Sequence, residues 1–315
     1  MRTILAVTLP FFALVLFGYI AARRRWVPTE AVPAFNGFLL FFAVPAMLFR
    51  FASNTPFAEI TNGRYFAAWA ISGLLVMLAV AFACRKLLAQ RLRDSAFYGL
   101  AAAVANAGFM GVPLIVALLG ERAAAPVILA IVADLVVVGS VGLLLAEADG
   151  ATRSGWKADL REALVRIFLN PFLLSMLVGA AFSGFGIKLV TPATEIVKLL
   201  ADSAGPCALF AIGLSLVRPD APLKTPMLAV PVAAKLLVHP AIVWTVMTAF
   251  GIDEFTRMVA TLVAALPSAG WVFIFAIRYE ADAGRISAAI LWTTALAFAT
   301  FSGLVWLYGI GNPGG

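Results

Sequence analysis

The stretch Ala105-Asn106-Ala107-Gly108-Phe109-Met110-Gly111-Val112-Pro113-Leu114 stands in the middle of an apolar run long enough to span a bilayer. A membrane helix has no need of an amide, two glycines and a proline within eight residues. Pro113 cannot donate to the carbonyl of Phe109, and Gly108 and Gly111 each weaken a helix by roughly 1 kcal/mol. At membrane depth such backbone survives only where protein buries it or where it lines a polar cavity. The stretch therefore predicts a deliberate helix break inside a membrane protein.

Composition agrees. Hydrophobic residues make up 63% of the 315 residues, charged residues 12%, and mean hydropathy is +1.00. Soluble domains do not read this way, so the class is an all-α polytopic membrane protein. Apolar runs of about 20 residues without alternation exclude a β-barrel. The net charge of +7 reflects loop Lys and Arg that orient a membrane protein, and no nucleic-acid partner is read from it. Cys84 and Cys207 lie in apolar runs without metal-type spacing and read as packing thiols. No metal or cofactor is expected. Residues 3–22 have only Arg2 before them and Arg23, Arg24 and Arg25 after them. A signal peptide carries its charge in front, so this run reads as a retained first helix.

Ten apolar segments follow from the hydropathy pattern: 3–22, 32–51, 64–84, 95–119, 124–146, 165–182, 191–217, 226–250, 256–277 and 286–308. Loops after the odd-numbered segments hold fifteen of the 23 Lys and Arg, against six on the opposite side. By the positive-inside rule the odd-numbered loops are cytoplasmic and both termini lie outside a plasma or bacterial inner membrane. A short cytoplasmic loop, 147–164, joins two five-segment halves, 1–146 and 165–315.

With five spans each, two related halves must be inverted. Val44-Pro45-Ala46-Met47-Leu48-Phe49 in the second segment matches Gly205-Pro206-Cys207-Ala208-Leu209-Phe210 in the seventh. The break in the fourth segment matches Leu266-Pro267-Ser268-Ala269-Gly270-Trp271 in the ninth. The expected fold is ten transmembrane helices in two inverted five-helix repeats, with broken helices 4 and 9 crossing at the midplane. Such interruptions in matching positions point to the binding site of a secondary transporter.

The breaks carry the chemistry. Pro113 suits the first turn of one half-helix, and Ser268 is expected to cap another. Each half-helix amino terminus offers unpaired N–H groups and about half a positive charge. Neither break holds a carboxylate, so backbone alone makes the crossing suitable for an anion, with Asn106 adding an amide donor. The expected substrate-binding set is Asn106, Gly108, Phe109, Gly111, Pro113, Pro267, Ser268, Gly270 and Trp271, faced by Phe42, Pro45 and Met47. Phe38, Phe42, Phe109 and Trp271 are placed to sandwich a flat apolar body. With no arginine near either break, an aromatic monocarboxylate is preferred to a dicarboxylate.

Ionisable residues inside spans are functional candidates by default. Asp134 lies in the fifth segment and Lys235 in the eighth, with His239 one turn further on the same face. Asp134 and Lys235 are expected to pair or to communicate through the crossing, as coupling residues or as a structural pair. His239 is a proton relay or a packing histidine. Glu195, Lys198 and Asp202 read as a solvated face of the seventh segment.

Asn106 to Leu114, Phe42 to Phe49, Asn170-Pro171, Pro206 to Leu216, Lys235 to Pro240 and Leu266 to Ala276 together resemble the auxin efflux carrier family, especially its bacterial members. The resemblance spans nearly the whole chain. It implies a scaffold of segments 1, 2, 6 and 7 and a mobile transport domain of segments 3–5 and 8–10, moving as an elevator. It also implies a homodimer through the scaffold, and transport of indole-type auxins such as indole-3-acetate or of malonate-like dicarboxylates. Asn106 and the two breaks would hold the carboxylate, opposite Phe42, Pro45 and Met47. The short central loop, and the lack of the acidic residue that plant carriers have in the third span, depart from the plant pattern.

The expected function is a secondary transporter exporting an organic anion, with proton coupling, sodium coupling and uniport all open. A sodium/proton antiporter is the alternative of another class, although no acidic pair stands beside the breaks. An enzyme is not expected: there is no HExxH, and one histidine leaves little general-base chemistry.

Overall fold

A computed structural model describes residues 2–54, 62–148, 171–215, 217 and 226–310. Among the described residues every regular element is a helix, and extended backbone meets only in one isolated antiparallel bridge. Five helical stretches are long and apolar enough to cross a bilayer: Val32–Asn54, Gly63–Leu87, Glu121–Glu147, Met227–Ala249 and Ala283–Leu307. They correspond to segments 2, 3, 5, 8 and 10. Helices Arg2–Arg23, Pro171–Phe185 and Thr191–Ser215 occupy segments 1, 6 and 7. Of the central loop only Glu147 and Ala148 fall within the described residues, and the start of the sixth segment, including Asn170, lies outside them. The chain is an all-helical, multi-pass membrane protein.

Segments 4 and 9 are each split. Leu92–Ala103 is followed by extended backbone, a wide turn at Ala107–Gly111 and the helix Val112–Leu119. Glu254–Ala264 is separated from Trp271–Arg278 by a non-helical stretch. Proline accounts for more than these two splits. Three wide, π-helical turns stand just ahead of a proline: Leu39–Ala43 before Pro45, Ala107–Gly111 before Pro113, and Ala234–Val238 before Pro240. A proline ring clashes with the carbonyl four residues back and gives it no N–H, and widening the preceding turn relieves both defects. A fourth such turn, Asp134–Gly139, has no proline behind it; nothing in the structure explains it.

Ends are marked by caps. Asn62 accepts from the Tyr65 N–H at 3.1 Å and Asp253 from the Thr256 N–H at 3.0 Å. Burial pushes the Asp253 carboxyl up, but the hydrogen bonds from Thr256 and its neighbours outweigh this and hold it below the ordinary carboxylate value. Gly120 and Gly251, at φ +83° and +64°, stop their helices in a conformation that costs other residues strain.

Segment 1 packs on 7, and segment 2 on 6 and 7, while segments 3, 4, 5, 8 and 9 pack among themselves. Glycines set the closeness of these contacts. A Cβ on Gly18 would collide with the Phe210 carbonyl, one on Gly213 with the Val15 carbonyl, and one on Gly99 with the Met77 carbonyl. Where the two groups meet, at Gly205 against Pro113, an added Cβ would find ordinary van der Waals distances of 3.4 and 3.5 Å. Arg50 and Asp202 form an ion pair at 2.7 Å between segments 2 and 7.

Candidate functional site

The two breaks meet through main chain. The Asn106 N–H donates to the Pro267 carbonyl at 2.8 Å, and the Ala269 N–H donates to the Val104 carbonyl at 3.1 Å, so 104–106 and 267–269 run antiparallel as a two-bond ladder. Each break thereby supplies the partners that the other's non-helical backbone lost. Beyond the ladder each chain re-enters a helix. The Asn106 carbonyl accepts from both Met110 and Gly111 (3.1 and 3.0 Å), and Pro113 sits in the first turn of its half-helix as expected.

The half-helix ends are treated unequally. A carboxyl-terminal end presents bare carbonyls and partial negative charge. At the end of Leu92–Ala103 the Ser268 hydroxyl donates to the Ala101 carbonyl, at 2.5 Å. At the end of Glu254–Ala264 the Lys235 ammonium donates to the Ala264 carbonyl at 2.9 Å. The negative ends are thus answered within the protein. At the start of the turn that leads into Val112–Leu119 stands Asn106, which is 4% exposed and whose carboxamide makes no hydrogen bond with any described residue. Beside it, Cβ atoms built on Gly108 and Gly270 would meet nothing within 4 Å. Open space thus lies at a glycine near the start of each half-helix, and the idle amide of Asn106 stands at the first.

Ser268 departs from expectation. Its hydroxyl does not cap Trp271–Arg278 but bonds across to the fourth segment, and its N–H goes to Thr293 Oγ1 at 3.2 Å. A serine hydroxyl takes whichever backbone group is nearest and bare, and here that is the unpaired Ala101 carbonyl. Thr293, from the tenth segment, was not singled out by the sequence; a mid-span threonine with a second threonine beside it is its only signal.

Asp134, Lys235 and His239 are all buried. Among the described residues no ion pair joins Asp134 to Lys235, so of the two expected arrangements, direct pairing and communication, the structure lacks the first. Lys235 contacts His239 Nδ1 at 2.9 Å as well as the Ala264 carbonyl, while Asp134 Oδ1 accepts from the Trp69 indole N–H at 2.7 Å. The two charges remain close enough to act on each other electrostatically, and the Ala105 amide is turned toward Asp134. Trp69 had no sequence signal beyond being an aromatic with an N–H in mid-span.

The remaining expected residues separate into two sets. Gly111 lies under the Leu266 side chain, Pro267 is buried, and Trp271 lies over Gly139 with its ring edge-on to Phe275 at 5.6 Å. Phe109 is half-buried at the start of its half-helix. In the second segment Met47 is buried and Pro45 half-buried, while Phe42 is 58% exposed and stacks on Phe38 at 6.4 Å. Phe38 with Phe42 and Trp271 with Phe275 therefore each pair within their own segment. Both cysteines are free.

A family described as "Membrane transport protein" matches residues 3–307. The chain belongs to the auxin efflux carrier family. Family members are membrane transporters, in keeping with a protein that is not an enzyme. It is 32% identical over 309 residues to a Rhizobium meliloti protein named "Putative malonate transporter", covering 98% of this chain and 96% of that one. It is 25% identical to the "Uncharacterized transporter YfdV" of Escherichia coli (strain K12), covering 95% of each chain. An "Uncharacterized transporter" of Methanothermobacter thermautotrophicus is 24% identical, over 93% of this chain and 94% of its own.

Proposed function

We propose that this carrier moves a small organic carboxylate across the membrane, binding it where the two half-helix amino termini and the Asn106 amide converge. The observation that carries the reading is the buried, unpartnered carboxamide of Asn106 beside open space at Gly108 and Gly270. Two amino termini and an amide match an anion's acceptors, and the opposing carbonyl ends are already occupied by Ser268 and Lys235. The name of the Rhizobium meliloti relative shifts the preferred substrate from an indole-type monocarboxylate to a malonate-like dicarboxylate. Two amino termini give each carboxylate of such an ion its own set of backbone donors.

The proposed architecture is the ten-helix inverted repeat with helices 4 and 9 crossing, both termini outside, and a homodimer formed through segments 1, 2, 6 and 7. Segments 3–5 and 8–10 form the moving body. The glycine-tight contacts within each group, and the looser contact of Gly205 with Pro113 between them, support an elevator-like displacement. Phe42, Pro45 and Met47 form the facing wall, Phe109 and Trp271 the sides of the site, and Asp134, Lys235 and His239 the coupling group.

Reconstituted in liposomes, the protein is expected to take up radiolabelled malonate in preference to indole-3-acetate, and Asn106→Ala is expected to reduce uptake to background. Undiminished uptake in that variant overturns the site. Preference for indole-3-acetate restores the monocarboxylate.

A further inference from the structure

Around Trp69 three buried polar atoms have no hydrogen-bond partner among the described residues: Tyr65 Oη, Asp134 Oδ2 and His239 Nε2. All three side chains adjoin the same indole. Asp134 holds its N–H at 2.7 Å, Tyr65 stacks on it with centroids 6.4 Å apart, and His239 meets it edge-on at 5.8 Å.

The proton inventory is informative. An ammonium at Lys235 donates to His239 Nδ1, so the neutral ring carries its hydrogen on Nε2 and that nitrogen is a donor. Asp134 Oδ2 is an acceptor, and the Tyr65 hydroxyl is either. A donor and an acceptor left around one ring are the groups that buried water joins. A metal ion suits the set poorly: the resident ammonium repels it, and only two of the three free atoms are oxygens. Among the described residues no group of three His, Cys, Asp or Glu side chains is arranged to hold one.

We propose that this cluster takes up one proton when the carboxylate binds at the breaks, with Asp134 as the acceptor, water between Oδ2 and His239 Nε2 as the route, and Trp69 as the residue that positions the carboxylate. The proposal rests on the carboxylate reading above and adds the coupled ion to it. The groups facing Asp134 are Tyr65 and Trp69 from the third segment, the Ala105 amide from the fourth, and Lys235 with His239 from the eighth. Ala105 immediately precedes Asn106, so an anion held there brings a second negative charge toward Asp134. A proton on Oδ2 removes that repulsion, and by reciprocity a protonated Asp134 strengthens anion binding. The step forms one O–H bond on Oδ2 and leaves the donating buffer or water with one proton fewer. No electrons move, and Lys235 keeps its proton between the Ala264 carbonyl and His239. Trp69 holds Oδ1, which leaves Oδ2 as the atom that titrates.

The test is proton uptake by purified protein in weakly buffered detergent with a pH-indicator dye, on addition of malonate titrated to the same pH. Bound malonate is counted in parallel by equilibrium dialysis. Uptake is expected to approach about one proton per bound malonate, the linkage of a single site. Asp134→Asn is expected to take up none at saturating malonate. Trp69→Phe keeps the ring but loses the N–H, and it is expected to displace the pH profile of uptake while retaining binding. Malonate binding by wild-type protein without proton uptake overturns the inference and leaves the carboxylate reading standing. Uptake retained in Asp134→Asn, or an unmoved profile in Trp69→Phe, removes the corresponding residue from the assignment. Failure of both malonate and indole-3-acetate to bind overturns the carboxylate reading, and the inference with it.

Discussion

The two breaks are counterparts in position and opposites in chemistry. In the ninth segment Ser268 is fully committed, its hydroxyl on the Ala101 carbonyl and its N–H on Thr293. In the fourth segment Asn106 commits only its backbone and leaves a buried carboxamide idle. The difference separates two tasks that a symmetric crossing would share. One break fastens the joint, and the other, on the function proposed above, is left to meet the ligand.

Exchanging these roles should produce opposite signatures. The largest effect is expected at Asn106→Ala, where malonate uptake falls at least ten-fold, about 1.4 kcal/mol, while the thermal midpoint in detergent stays put. A fall in the midpoint to match the lost transport would make Asn106 a fastener too. Next is Ser268→Ala, which strips the Ala101 carbonyl of its donor. It is expected to cost about 1–3 kcal/mol of stability, seen as a lower midpoint, with malonate affinity changed less than by Asn106→Ala. Gly108→Ala fills open space at the ligand side of a helix, so stability should rise by roughly 0.5–1 kcal/mol while malonate binds more weakly in dialysis. Tighter binding there would place the ligand elsewhere.

The smallest effect on transport is expected at a reference remote from both breaks. Asp253→Ala removes an amino-terminal cap and is expected to cost about 1 kcal/mol. The Asp253 carboxyl lies below its ordinary value in the folded protein, so its contribution is full above the unfolded value, near pH 4, and is lost as pH falls through the folded value. The gap between wild type and variant should therefore close in acid. A gap that widens there would mean that the cap does not act as a carboxylate.

The positions of both breaks were legible because Gly and Pro are costly in a membrane helix and each costs it through its own backbone. The wide turns before Pro45, Pro113 and Pro240 follow from the same local rule. Asp134 and Lys235 stood out as charges in apolar runs. Their partners did not. Trp69 is 65 residues from Asp134, and Ala264 is 29 from Lys235; which helix neighbours which decides these bonds, and no local pattern encodes it. Ser268 misled for a related reason. Its hydroxyl had a plausible acceptor role in its own helix and found a bare carbonyl 167 residues away instead.

The ladder that joins the breaks is made of two backbone N–H groups, those of Asn106 and Ala269. Only substitution by proline at either position deletes a donor; every other codon change leaves both in place. The alignment of the crossing is thus insulated from drift in the side chains around it, and residues lining the space at Gly108 and Gly270 can be exchanged without unseating the frame. A laboratory selection for new carboxylates would do best to vary those linings and to leave the ladder untouched.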